Sequence, residues 1–397
     1  MVAKIWTSLT LAGALTLGGC AASTPSASEP AVDIETVTPE RAAELRERFS
    51  ELLDRLGVVT AGAAVIQAGE LTWTGYYGEQ SPGVPASSET LFDVASMTKP
   101  VAAETILRLA SQGVLSLDEP MATHWVDPDL ADDPRHESLT PRMALNHTTG
   151  FPNWRFFLDD GKLRFLKDPG TAYGYSGEGF DYVMRWAEKK LGRDFPSLMA
   201  DQVFKPVGMG GVTFSVRPSM FHRMARPVDA DGVFHGHYCR PNGWCRNEGA
   251  YSAADDLRVT IEDYAKFLIS AMNAEGLSAE VLAERNSVRV DQGDQAVVDC
   301  TEVPEADCPL AEGFGLGWEV IDFGDHLVIG HGGSDWSEVA LGYFYSRSQD
   351  GLLLFFNAPN HRALGAMGEA IGWLDPDSPY LGQYRRGYEE SLGRGAE

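Results

Sequence analysis

Leu91-Phe92-Asp93-Val94-Ala95-Ser96-Met97-Thr98-Lys99-Pro100 sets a hydroxyl and an amine three residues apart where an apolar approach gives way to a helical pattern. Val101, Ile106, Leu107 and Leu109 supply an apolar stripe at helical spacing, so a helix is predicted from Pro100 to Gly113. Proline is tolerated in a first helical turn and glycine suits a C-cap. Ser96 is therefore expected at a helix N-terminus, with Lys99 one turn further along the same face.

That spacing suits nucleophilic catalysis. A serine hydroxyl is inert at neutral pH unless a base stands beside it. A lysine can be that base only when burial lowers its pKa and leaves it partly neutral. The unpaired amides at a helix start favour the developing oxyanion. A Ser cap beside a solvated Lys is the bland alternative. Against it, the chain holds only eight lysines, and Lys99 alone follows a serine at this spacing.

The 397 residues suffice for one large domain or two intertwined ones, and 44% hydrophobic content supports a sizeable core. The formal net charge of −25 excludes nucleic acid and anionic lipid surfaces as natural partners, because both demand basic patches. The acids are dispersed along the chain, as on a solvated surface.

Residues 1–19 read as a signal segment. Lys4 is its only charge, an apolar run extends from Ile5 to Leu17, and Leu17-Gly18-Gly19-Cys20 closes it. The run falls short of the roughly 20 apolar residues a bilayer span requires. Leu-Gly-Gly-Cys resembles the lipobox of bacterial lipoproteins, which implies acylation at Cys20 and a lipid-anchored protein of the bacterial cell envelope, on the periplasmic side. Residues 20–38 read as a disordered tether. In an oxidising compartment the remaining cysteines read as two short-range disulfides, Cys239 with Cys245 and Cys300 with Cys308. A metal site from His235, His237, Cys239 and Cys245 is the alternative, though its spacing matches no common zinc pattern. No metal or other cofactor is called for.

Pro39 to Leu56 reads as an amphipathic helix with Leu45, Phe49, Leu52 and Leu53 on one face. Val58 to Gln67 and Leu71 to Tyr77 read as paired strands. Residues 100–284 are mostly helical in pattern. Strands return at Gly317–Phe323, His326–Ile329, Val339–Tyr345 and Leu352–Asn357, and a helix over His361–Trp373 closes the fold. The expected fold is α/β (α+β): an antiparallel sheet built from both termini, flanked by helices, with a large helical insertion. The sheet region takes 39–95 and 310–375, the insertion 96–309, and 376–397 reads as a C-terminal tail.

Two polar loop segments complete the pattern: Tyr173-Gly174-Tyr175-Ser176-Gly177-Glu178 and Ile329-Gly330-His331-Gly332-Gly333-Ser334. Asn146-His147-Thr148-Thr149-Gly150 and Gly313-Phe314-Gly315 read as structural punctuation around them. With these segments the chain resembles the β-lactamase and penicillin-binding-protein-like serine hydrolases, near class C β-lactamases, D-alanyl-D-alanine carboxypeptidases and related esterases. Ser-x-x-Lys falls on Ser96 and Lys99, Tyr-x-Asn on Tyr175, Ser176 and Gly177, and Lys-Thr-Gly on His331, Gly332 and Gly333. The likeness extends over roughly residues 40 to 375.

The resemblance implies attack by Ser96 on a carbonyl, with Lys99 and Tyr175 sharing the proton. Tyr173 is the rival should the register slip by two. Backbone amides of Ser96 and of a residue shortly after Gly333, with Asp335 the candidate, would bind the oxyanion. His331, Gly332, Gly333 and Gly177 would contact substrate. Two departures bear on substrate: Gly177 has no side chain to hydrogen-bond an amide, and His331 replaces a lysine with a mostly uncharged imidazole. Both disfavour β-lactams and D-Ala-D-Ala termini, so a small ester or amide is the expected substrate, with a peptidoglycan-derived peptide as another partner. A D-alanyl-D-alanine carboxypeptidase or β-lactamase proper, an α/β-hydrolase with Ser176 as nucleophile, and a non-catalytic envelope binding protein are the competing readings.

Overall fold

The computed structural model describes residues 34–394, apart from 216, 238, 240–242 and 244. The signal segment and Cys20 lie outside the described residues. The strands are β1 (Thr60–Gln67), β2 (Glu70–Ser81), β3 (Val84–Pro85), β4 (Phe92–Asp93), β5 (Val212–Thr213), β6 (Arg258–Val259), β7 (Val290–Asp291), β8 (Ala311–Phe314), β9 (Glu319–Asp322), β10 (Leu327–Ser334), β11 (Glu338–Tyr345) and β12 (Gly351–Asn357). The helices are α1 (Pro39–Leu56), α2 (Thr98–Ser111), α3 (Pro141–Leu145), α4 (Gly177–Leu191), α5 (Phe195–Met199), α6 (Lys205–Val207), α7 (Ile261–Met272), α8 (Ala279–Arg285), α9 (Asn360–Leu374) and α10 (Tyr380–Arg394).

Among the described residues, nine strands form one antiparallel sheet in the order β3-β2-β1-β12-β11-β10-β9-β8-β7. The two ends of the chain meet where β1 pairs with β12, from Thr60↔Asn357 to Ile66↔Gly351. The expected fold is the one observed. Strand periodicity explains why the sheet is buried on both sides. Leu352, Leu354 and Phe356 pack with α1 and α9 on one face, and Leu353 and Phe355 join the helical core on the other. α1 matches its predicted span, held at Thr38, whose hydroxyl accepts from Arg41 N–H.

Three sequence expectations change. The end of the expected tether belongs to the folded body: Ile34 is fully buried, and its N–H donates to Asp350 at 3.1 Å. The stretch read as a tail carries α10, whose Tyr380 and Tyr384 are buried beneath the sheet. α2 is more than a one-sided stripe, for every residue from Thr98 to Leu109 is buried. Its buried Glu104 accepts through Oε1 from Arg285 at 2.8 Å and from the Trp318 indole at 3.2 Å.

Cys239 pairs with Cys245 and Cys300 with Cys308 at disulfide distance. The first pairing uses both sulfurs of the alternative metal tetrad. Peptide mapping without reduction is expected to recover both linkages, and stoichiometric zinc on free thiols would contradict them. Among the described residues no helix is long and apolar enough to cross a membrane.

Candidate active site

A second, three-stranded sheet, β4-β6-β5, carries the Ser96 turn. β4 runs into a single 3-10 turn over Ala95–Met97 before α2 begins. Ala95 has φ +45°, a left-handed conformation that costs a non-glycine residue about 1 kcal/mol or more. Neighbours hold it there: Asp93 accepts from Ala95 N–H at 3.1 Å, and the Thr98 hydroxyl donates to the Ala95 carbonyl at 2.7 Å. Asp93 is fixed in turn by an ion pair to Arg258. The turn presents Ser96 to a cavity of about 500 Å³.

Lys99 is fully buried behind Ser96. Its Nζ donates to Ser96 Oγ and to the Ala254 carbonyl, both at 2.9 Å, and lies 4.7 Å from the Tyr175 ring centroid. Burial pushes its pKa down to about 8, against the opposing pull of Asp255 and Asp181. A buried amine of that pKa is neutral in a large fraction of molecules at mildly alkaline pH.

Tyr175 also faces the cavity, and its hydroxyl shares a hydrogen bond with Ser96. Burial holds the phenol well above its ordinary pKa. Tyr175 is a neutral phenol, suited to relaying a proton. Tyr173 turns elsewhere, stacking on Phe314 at 5.7 Å and lining an adjacent recess with Gln292.

Behind Tyr175 stands His147, which the sequence offered only as punctuation. Its ring lies 4.4 Å from Tyr175 and 4.7 Å from Phe314, and Nδ1 accepts from Ser176 N–H at 3.1 Å. Burial keeps it neutral, with a pKa well below the usual histidine value. The Ser176 hydroxyl accepts from Gly179 N–H at 3.0 Å and donates to the Pro152 carbonyl at 2.8 Å, capping α4. A buried cap in an antiparallel fold is no nucleophile elbow, which removes the α/β-hydrolase reading.

The third segment is part of a strand and not the loop expected from its glycines: His331-Gly332-Gly333 lies inside β10, paired to β11. A Cβ on Gly333 would run into the Val94 carbonyl and stand 3.2 Å from Ser96 N, so glycine keeps that amide open. A Cβ on Gly332 would stand 2.9 Å from the Tyr384 hydroxyl of α10. His331 lines the cavity, and its Nδ1 is 2.5 Å from the Gly332 carbonyl. Burial first, then the nearby Lys99, pushes its pKa down to about 3, so His331 is uncharged even at pH 6.

Two expected contacts are corrected. Asp335 keeps its place on the cavity wall, but its N–H donates to the Glu338 carbonyl at 3.0 Å and is not free for an oxyanion. Amide direction alternates along an antiparallel strand, so Ser334 presents its N–H on the opposite edge of β10. That edge is open because pairing with β9 ends at Gly330↔Glu319. Gly177 is buried in α4 and does not line the cavity, for Trp154 stands across it. The remaining wall includes Asp255, Glu319 and, from α10, Gln383 and Tyr384. Burial raises Glu319 to about 7.

Residues 45–367 match the Beta-lactamase family model. Esterase EstB of Burkholderia gladioli is 30% identical over 212 residues, which cover 45% of this chain and 53% of the esterase. The chain thus spans about half the length of that relative. The D-alanyl-D-alanine-carboxypeptidase/endopeptidase AmpH of Escherichia coli is 24% identical over 75% of this chain and 78% of its own. Among solved structures, the octameric penicillin-binding protein homologue of Pyrococcus abyssi superposes with TM-score 0.66 at 18% identity, covering 86% of this chain and 80% of that one. The D-amino acid amidase of Ochrobactrum anthropi gives TM-score 0.61 at 21% identity, over 83% and 98%. By the match over residues 45–367, the chain belongs to the Beta-lactamase family.

Proposed function

We propose that this enzyme hydrolyses a small ester or amide through an acyl-enzyme on Ser96. The observation that carries the reading is the 2.9 Å contact between Ser96 Oγ and a buried lysine amine lowered to about 8. Neutral Lys99 takes the Ser96 proton as Oγ bonds to the carbonyl carbon. The N–H groups of Ser96 and Ser334 receive the oxyanion. Collapse restores the carbonyl and expels the alcohol or amine, which leaves with the proton returned from Lys99 through the Tyr175 hydroxyl. Water then cleaves the acyl-enzyme by the same route in reverse, releasing the acid.

Two features rank an ester above a carboxypeptidase substrate or a β-lactam. Among the described residues lining the cavity there is no lysine or arginine to hold a carboxylate, and Gly177 offers no amide-binding side chain. A purely binding role gains nothing from burying an amine beside a hydroxyl, since desolvating it is costly. The Leu17-Gly18-Gly19-Cys20 segment supports export with a lipid anchor at Cys20, placing the enzyme in the bacterial envelope, where peptidoglycan-derived peptides are also within reach.

A fluorophosphonate probe is expected to label the wild type and not Ser96→Ala. Intact mass after a short-chain p-nitrophenyl ester is expected to show a transient adduct on Ser96. Labelling that persists in Ser96→Ala, or an unlabelled wild type, overturns the assignment.

A further inference from the structure

The position where the resemblance calls for asparagine is a glycine, and the space its side chain would take is filled. A Cβ on Gly177 would lie 2.5, 2.6 and 2.8 Å from Cζ2, Cη2 and Cε2 of Trp154. These are ring atoms of a rigid indole, so no side chain fits at 177 while the indole stays. The vacancy in the second motif is therefore an occupied site.

The indole is held firmly. The Asn153 side chain accepts from Gly177 N–H at 3.0 Å, and the Asn153 carbonyl accepts from Glu178 N–H at 3.1 Å. Arg155 ties the same loop to Asp127 and Glu178 at 2.8 Å and to Asp129 at 3.1 Å. The Arg155 N–H donates to Glu178 at 2.8 Å. Trp154 thus rides on the segment that carries Tyr175.

From Trp154 an aromatic wall continues outward. Phe156 stacks on the indole at 5.5 Å, and Phe157 sets its edge against Phe156 at 4.7 Å. All three rings line the cavity that holds Ser96. Phe156 and Phe157 are 57% and 69% exposed, so within this chain little of their apolar surface is removed from water. A substrate group seated between them and the indole would remove it. The rest of the lining includes the polar side chains of His331, Glu319 and Asp255.

We infer that Trp154 is the specificity-determining residue of the acyl side of the site, forming with Phe156 and Phe157 a subsite for a hydrocarbon or aryl acyl group. Acyl groups bearing an amide next to the reacting carbonyl are turned away, because the indole replaces the amide partner in both space and chemistry. This rests on the acyl-enzyme reading above. It predicts that an apolar pocket should gain with each added methylene, and that an amide-bearing acyl group should be admitted only once the indole is gone.

The test is kcat/KM of the full chain for p-nitrophenyl acetate, butyrate and hexanoate, with fluorophosphonate labelling of Ser96 run on every variant. The wild type is expected to favour hexanoate over acetate at least tenfold. Trp154→Ala and Phe156→Ser are each expected to reduce that ratio at least fivefold. Gly177→Asn alone meets the indole, whereas Gly177→Asn with Trp154→Ala is expected to raise cephalosporin relative to acetate turnover at least tenfold. If Trp154→Ala fails to label, Phe156→Ser, at an exposed ring, decides. A labelled wild type without chain-length preference, or labelled variants with an unchanged ratio, overturns the subsite. An unlabelled wild type overturns the acyl-enzyme reading instead.

Discussion

Lys99→Met is expected to lower kcat/KM for a p-nitrophenyl ester by about 10²–10⁴, the range over which a positioned general base contributes. Methionine keeps the length and apolar character of the buried stem while removing the amine that donates to Ser96 Oγ and to the Ala254 carbonyl. The pH dependence makes the prediction specific. Lysine acts as base only when neutral, and burial places its pKa at about 8, so wild-type activity should rise with pH through about 8. At pH 6 only about 1% of Lys99 would be neutral against about half at pH 8, a loss of roughly 50-fold. Buried Glu319 on the cavity wall and Asp181 near Lys99, both raised to about 7, titrate on the same limb, so the comparison with Lys99→Met is what isolates the lysine. His331 at about 3 and His147, held well below the usual histidine value, stay neutral over this range, and burial keeps Tyr175 protonated. In Lys99→Met the residual activity should lose the rise. A wild-type rate already flat between pH 5 and 7, or a rise that survives Lys99→Met, would show that the base lies elsewhere.

What could be read from the chain and what could not divides along the range of the interactions. The Ser96–Lys99 spacing is local: one helical turn determines that the two side chains meet, and the observed contact follows directly. The same holds for α1, whose Leu45, Phe49, Leu52 and Leu53 are the buried face the periodicity predicts. His331-Gly332-Gly333 misleads because glycine is poor in strands, yet here it is required by the close approach of Val94 and the Ser96 turn. The misplaced oxyanion donor is a matter of parity. One residue along β10 reverses the amide, and only the observed pairing decides between Ser334 and Asp335. α10 escaped notice because its buried side includes two tyrosines within a polar, glycine-rich stretch. His147, Phe314 and Trp154 approach Tyr175 and Gly177 from distant segments, and no spacing in the sequence announces such contacts. The charge of His331 is likewise tertiary, since burial beside Lys99 sets it.

Ester hydrolysis is expected to exceed penicillin or cephalosporin hydrolysis in kcat/KM by about 10²–10³. An ester asks for nucleophile, base and oxyanion donors, which Ser96, Lys99, Tyr175 and the amides of Ser96 and Ser334 supply. A β-lactam asks in addition for a cation on its carboxylate and a hydrogen-bonding side chain on its amide. A charged hydrogen bond contributes about 1.5–3 kcal/mol and a neutral one about 1 kcal/mol, and their joint loss gives the stated ratio. The structure strengthens both parts of the argument. Gly177 is not an empty place that a substrate amide could fill with water, because the Trp154 ring occupies it. His331 is not a weak cation that acid could restore, because a pKa of about 3 leaves it neutral wherever Lys99 can still act. Lowering the pH to 6 should therefore reduce ester and lactam turnover together through protonation of Lys99, with no gain from His331, and any change in their ratio would report the loss of charge on Glu319, whose pKa is about 7. His331→Lys at fixed pH is the discriminating variant, since it places a charge on the cavity wall near Ser96 without touching the nucleophile or the base. It should raise the lactam-to-ester ratio by about tenfold or more, the worth of one charged hydrogen bond. A ratio that does not move in His331→Lys, or nitrocefin hydrolysis by the wild type equal to that of simple esters, would each show that carboxylate anchoring is not what separates the two substrate classes here, whereas a wild-type ratio that climbs well below pH 6 would show that His331 gains its proton far more readily than its burial implies.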